Sequence, residues 1–307
     1  MRTEAARMAF TRTLLELARE DPFIFAVATD SRGSVTLNDF ANERPAQFVE
    51  CGIAEQDAVG VSAGLAHSGL RPFVCGPACF YTLRSAEQVK VDVGYSHTNV
   101  KIIGVSGGVS YGALGSTPHA TQDIALMRAI PGIEIFLPCD GPQTEALTRY
   151  LAQSGEPAYV RMGRGAVPTV YEGDAPFTPG KANRLCQGGD GAIIACGEMV
   201  YPALEAARLL KAEGIAVSVY DMHTLRPLDE EAILEAADTG LVVTAEEHDV
   251  HGGLGGAVAE VLCQRKPTRM RILGLPDEKL YSGTSAQVFA HYGLTPQGIA
   301  ETIRQGR

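Results

Sequence analysis

Four side chains in this sequence are of types that can do chemistry. Glu55 follows Gly52, Ile53 and Ala54 and opens a small-residue run of helical period. A carboxylate in a first helical turn faces the positive end of the helix, an interaction of about 0.3–1 kcal/mol. His119, in STPHATQD, carries an imidazole, which exchanges protons near neutral pH. Arg164, in RMGRGAVP, offers a guanidinium fork that suits phosphate geometry. Phe80, in CFYTLRSAEQ, offers a flat aromatic face. Taken singly, each has an ordinary reading: a helix-terminus carboxylate, a solvated loop histidine, a turn arginine paired with an acid, a core aromatic. His248 and His251 have no third ligand in the pattern, so no metal site is expected there.

The elements that must hold these residues follow from periodicity. Short apolar runs (FIFAVA, PFVC, VKIIGV, IEIFL, AYVR) alternate with helix-period segments at 55–68, 82–93, 123–129 and 141–153. That alternation predicts an α/β fold with a parallel sheet flanked by helices. A second series of the same kind contains AIIAC, AVSVYD, GLVVTA and MRIL. Between them lies a stretch rich in glycine and proline with the composition of an exposed connector. Two domains are expected, 1–165 and 188–307, with a linker at 166–187.

The chain has 307 residues, 45% of them hydrophobic, enough for two cores. Its net charge of −10 disfavours a nucleic-acid or anionic membrane partner. No apolar run approaches the roughly 18 residues that cross a bilayer. The seven scattered cysteines read as reduced thiols of a cytoplasmic protein.

Several segments together resemble the transketolase family. GIAEQ at 52–56, followed by a small-residue helix and GLRPFV, is similar to the pyrimidine-binding domain of transketolases and deoxyxylulose phosphate synthases. CFYTLRSAEQVKVDV, GSTPHATQDIALMRAIPGIEIFLPCD and PAYVRMGRGAVP continue the likeness, and VTAEEHDVHGGLGGAVAEVL and ILGLPDE resemble the family's C-terminal domain. The resemblance implies that Glu55 shares a proton with the pyrimidine ring of thiamine diphosphate and so activates the cofactor. It further implies that Phe80 stacks on the aminopyrimidine, that His119 faces the substrate hydroxyl and carbonyl, and that Arg164 grips a substrate phosphate.

The family holds the diphosphate through Mg2+ bound by Gly-Asp-Gly and a downstream asparagine. The one such triplet here, Gly189-Asp190-Gly191, precedes AIIAC with no asparagine after it and reads as a strand-entry turn. The resemblance therefore implies a partner, a large subunit carrying the diphosphate-binding domain and the metal, in an α2β2 heterotetramer. The expected function is transfer of a two-carbon ketol unit from a phosphorylated or otherwise acidic ketose to an aldose. Competing readings are the beta subunit of a 2-oxoacid dehydrogenase, a deoxyxylulose-phosphate-synthase-like enzyme and a non-catalytic assembly subunit. Gly115 and the Ser106, Gly107, Gly108 turn stand where transketolases place polar donor-binding groups, which puts a standard pentose-phosphate donor in doubt.

Overall fold

Strands of a parallel sheet are covered by helices on both faces, and the apolar runs of the first half are buried accordingly. The computed structural model describes residues 2–307, the side chain of Ala113 excepted. Its larger sheet has seven strands in the order Thr224–Arg226, Glu134–Phe136, Ala158–Met162, Lys101–Val105, Arg71–Pro77, Ile24–Ala28, Phe48–Glu50. All pairings are parallel except the one made by Thr224–Arg226, which reaches over from the second half of the chain. Helices Ala6–Glu20 and Gly141–Gln153 cover one face through Phe10, Leu14, Leu147 and Leu151. Helix Glu55–His67 covers the other, where Ala58, Val59 and Ala63 are small enough to let it lie close to Val74 and Tyr81.

The second sheet is ordered Arg269–Leu275, Leu241–Asp249, Ala192–Ala195, Ser218–Asp221, Asn183–Cys186, parallel except at its last strand. The expected pair of mainly parallel α/β units is present. The connector stays largely exposed or half-buried, with Tyr171 and Ala175 buried, but it is tethered to both units. Ala166–Pro168 pairs antiparallel with Thr3–Ala5, and Asn183–Cys186 already belongs to the second sheet. Buried Asp140 explains the tethering. It caps helix Gly141–Gln153 through Gln143 and also accepts the N–H groups of Val170 and Tyr171. The Tyr171 hydroxyl then donates to the fully buried Asp221 at 2.6 Å.

The two sheets meet around Arg161, at the carboxyl end of its strand. Its Nε lies 3.2 Å from Asp123, and its Nη2 donates to the Glu247 carbonyl at 2.5 Å. The Glu247 carboxylate accepts the Val109 N–H at 2.7 Å. Asp249 N–H donates to the Thr121 carbonyl, and Ala125 N–H to His248 Nε2. The end of strand Leu241–Asp249 in the second domain therefore buttresses the loop that carries His119.

More carboxylates than cations are buried here. Burial raises the pKa of both Glu247 and Glu198, and Arg161 only partly opposes it. A carboxyl raised in the folded state contributes stability that is full below the unfolded value and is lost as pH rises through the folded value. Relative to wild type, Glu247→Gln should therefore gain stability as pH rises from about 5.5 to about 8.5. Thermal unfolding of the two proteins across that range checks this, and parallel curves would refute the assignment.

Candidate functional site

In open parallel sheets the crevice beyond the carboxyl ends of the strands collects functional groups. Glu55 follows Phe48–Glu50, Phe80 follows Arg71–Pro77, His119 lies on the loop after Lys101–Val105, and Arg164 follows Ala158–Met162. All four sequence-derived candidates therefore sit at one edge of one sheet. The turn into Glu55 needs Gly52, whose φ is +69°. It is pinned by Glu50, which accepts the N–H groups of Gly52 (3.1 Å) and Asp30 (2.7 Å).

Glu55 is 3% exposed although it opens its helix. Its carboxylate accepts a 2.6 Å hydrogen bond from Arg84 Nη1. The same guanidinium lies over the Phe80 ring, 4.6 Å from the centroid. Instead of one regular helix at 82–93, the chain winds wide π-type turns over Phe80–Arg84 and Val89–Tyr95, separated by the short helix Ala86–Gln88. Such turns recur at functional sites because they re-aim side chains. Here they leave Ser85 Oγ and Gln88 Oε1 buried without hydrogen-bond partners.

The His119 loop joins this group through Ala120, which packs with Ala78 and Cys79, against which Phe80 also rests. His119 is 4% exposed and neither ring nitrogen completes a hydrogen bond. Burial lowers its pKa, opposed in part by the Gly112 backbone, so the ring is neutral and free to accept a proton at neutral pH.

Arg164 stands over the Tyr111 ring at 5.2 Å, with its Nη1 buried and unpartnered. Beside it is Arg7, which the sequence reading missed. Arg7 Nη1 donates to the Ser34 carbonyl at 2.5 Å, and its Nε is buried without a partner. Burial lowers the Arg7 pKa and the neighbouring Arg164 charge lowers it further. Two guanidinium groups that repel each other, each with a spare donor, have the chemistry that an anion would satisfy. Arg7 opens a helix that runs antiparallel to the next strand, so it reaches the carboxyl edge only through the fold.

The glycine turn has a packing cause. A Cβ on Gly107 would come 2.4 Å from Arg161 Nε, and one on Gly108 would come 2.2 Å from the Glu247 carboxyl carbon. These two positions exclude side chains because Arg161 and Glu247, which meet at the interdomain contact, fill the space. Gly115 is different: its φ is +80°, and a Cβ would meet only Ser282 Oγ at 3.7 Å.

Gly189–Gly191 leads into strand Ala192–Ala195, with Asp190 bonded to Ala216 N–H and Arg307. His248 Nδ1 bonds the Asp249 carbonyl, and His251 Nδ1 pairs with the Asp249 carboxylate. Among the described residues, no cluster of three or more His, Cys, Asp or Glu side chains is arranged to hold a metal ion.

Comparison with known proteins identifies the family and the fold. The family model for the transketolase pyrimidine-binding domain matches residues 3–169, and that for the transketolase C-terminal domain matches 180–299. The chain is 59% identical over 300 residues to one of the subunits of an apulose-4-phosphate transketolase from Phocaeicola vulgatus, covering 97% of this chain and 96% of that protein. A 6-deoxy-6-sulfo-D-fructose transketolase subunit of a Clostridium species is 35% identical over 300 residues, covering 97% and 93%. The solved structure of a split-gene transketolase, described as an inactive beta4 tetramer, superposes with a TM-score of 0.89 at 39% identity, covering 98% of this chain and 97% of that one. Matched over nearly its whole length by both domain models and by these relatives, the chain belongs to the transketolase family, as the subunit of a split enzyme that carries the pyrimidine-binding and C-terminal domains.

Proposed function

We propose that this subunit, together with a large subunit that carries the diphosphate-binding domain and Mg2+, transfers a two-carbon ketol unit from a ketose phosphate to an aldose. One observation carries the reading. A buried carboxylate, an aromatic face and an imidazole with two unpartnered nitrogens are gathered at one sheet edge, beside a pair of under-satisfied guanidiniums. The first two fit an aminopyrimidine, which needs a proton-sharing acid and a stacking surface, and the buried, unpartnered Gln88 Oε1 fits a ring amine. When bound, thiamine diphosphate supplies the nucleophilic carbon that takes up and releases the two-carbon unit.

The chain's own residues do the rest. Glu55 holds a proton at the pyrimidine ring, and Phe80 fixes the ring's plane. His119, neutral in its buried loop, takes or gives a proton at the sugar's hydroxyl or carbonyl oxygen. Arg7 and Arg164 bind the anionic end. The relatives named for apulose 4-phosphate and for a sulfonated fructose act on acidic ketoses, in keeping with this pair. Apulose 4-phosphate is the donor we infer first, from the 59% relative. The diphosphate and the metal belong to the large subunit in an α2β2 assembly. Seven free cysteines fit a reducing cytoplasm, and among the described residues no helix is long and apolar enough to cross a membrane.

The test is reconstitution. Alone, the chain should bind thiamine diphosphate weakly in calorimetry and turn over no ketose; micromolar affinity with full activity in the absence of any partner would defeat the split-site reading. In the reconstituted enzyme, Glu55→Gln should lower turnover by about 100- to 10,000-fold, the range for lost acid–base assistance, while assembly persists. Retention of most activity would return Glu55 to a helix-terminus role. Arg164→Ala and Arg7→Ala should each raise KM for the phosphorylated donor by about tenfold or more, the size of one charge-assisted hydrogen bond, and leave KM for a neutral ketose nearly unchanged. Equal effects on both donors would remove the anion site.

A further inference from the structure

Two contacts of Arg84 are with groups assigned above to the cofactor. Its Nη1 donates to Glu55 at 2.6 Å, and its guanidinium carbon stands 4.6 Å from the centre of the Phe80 ring. A guanidinium is planar, carries N–H donors in its plane and stacks on aromatic faces. It can therefore meet the same demands as an aminopyrimidine that shares a proton with Glu55: stacking on Phe80 and presenting a donor to the carboxylate. Resting on the cofactor reading of Glu55 and Phe80, we propose that Arg84 is an internal placeholder for the aminopyrimidine, occupying the half-site until the cofactor displaces it.

The subunit has a physical need for such a group. A carboxylate 3% exposed without a partner is costly, and Arg84 is the one residue that bonds the Glu55 side chain among the described residues. The arginine is also able to leave. Its side chain is 45% exposed, against 4% for that of Glu55, so rotation about its own bonds carries the charge into water while the backbone stays fixed. An arginine that remained in place would deny both the Phe80 face and the carboxylate to the ring. Its sequence position, four residues after Phe80 on a π-type turn, keeps it one helical turn from the face it covers.

A placeholder lowers apparent cofactor affinity by the fraction of subunits it keeps occupied. Calorimetric titration of the reconstituted enzyme with thiamine diphosphate and Mg2+ measures this. Arg84→Met, which keeps the aliphatic stem, should bind about three- to tenfold tighter than wild type, and Arg84→Lys, charged but unable to stack flat, should fall between them. Equal or weaker binding by Arg84→Met, with assembly intact by size exclusion, would overturn the proposal. Phe80→Ala separates the two levels: if it leaves affinity unchanged, the cofactor reading itself fails, whereas weakened binding there with no gain in Arg84→Met sinks the placeholder alone. A measurement needing no variant is the wild-type structure of the loaded complex. The Arg84 guanidinium is expected off the Phe80 ring and beyond hydrogen-bond distance of Glu55, and finding it still stacked between them refutes displacement.

Discussion

Arg161 places a charged guanidinium at the centre of the molecule, 6% exposed, and much of the architecture follows from compensating it. Burial alone would lower its pKa; Asp123 and Glu247 more than reverse that, so the group stays charged. Asp123 comes from the helix after the His119 loop, and Glu247 from strand Leu241–Asp249 of the other sheet. Satisfying one cation thus requires both domains to meet in one register. Removing one partner from a buried ion pair costs about 3–5 kcal/mol, far more than the pair's net worth, which gives the arrangement its specificity in this fold.

That register has consequences at the sheet edge. The Glu247 carboxylate takes the Val109 N–H, Asp249 N–H bonds the Thr121 carbonyl, and His248 receives the Ala125 N–H. The loop bearing His119 is therefore held at both ends by the second domain. An imidazole buried with two free nitrogens is expensive to maintain, and a loop free to collapse would satisfy it locally. Hydrogen bonds from the C-terminal domain oppose such a collapse.

The alternation of apolar runs with helical segments made the two-sheet architecture legible, and the family motifs made Glu55, Phe80, His119 and Arg164 legible as a set. Two things were not. The packing role of Gly107 and Gly108 was not legible, because a missing side chain looks alike in sequence whether it opens a substrate pocket or admits a neighbour; the positions of Arg161 and Glu247 supply the second cause. Arg7 and Arg84 escaped notice because neither carries a local signature. Arg7 is a surface-type residue in an amphipathic helix until the fold sets it beside Arg164, and Arg84 looks like one more helix cation until a wide turn lays it on Phe80. Sequence patterns report burial and periodicity well. They report poorly on charges whose partners are chosen by tertiary contact.

A half-site that is completed by another chain must remain foldable while open. Exposed apolar side chains occur on the segments that carry these groups: Ile53, 78% exposed, in the turn before Glu55, Leu83 beside Arg84, and Tyr95, 86% exposed, at the end of the run of turns that begins at Phe80. Scattered exposed hydrophobics are ordinary, but these flank the groups that would hold the cofactor. A large subunit seated over them would cover apolar surface and exclude water from Glu55 in the same event. Excluding water raises the cost of an unbonded carboxylate, so a docked partner demands that Glu55 be satisfied, by Arg84 or by the cofactor. A cofactor held by both chains adds contacts that neither chain makes alone. Under the proposed split site each would then be more favourable in the presence of the other, which is positive coupling between partner and cofactor in the thermodynamic sense.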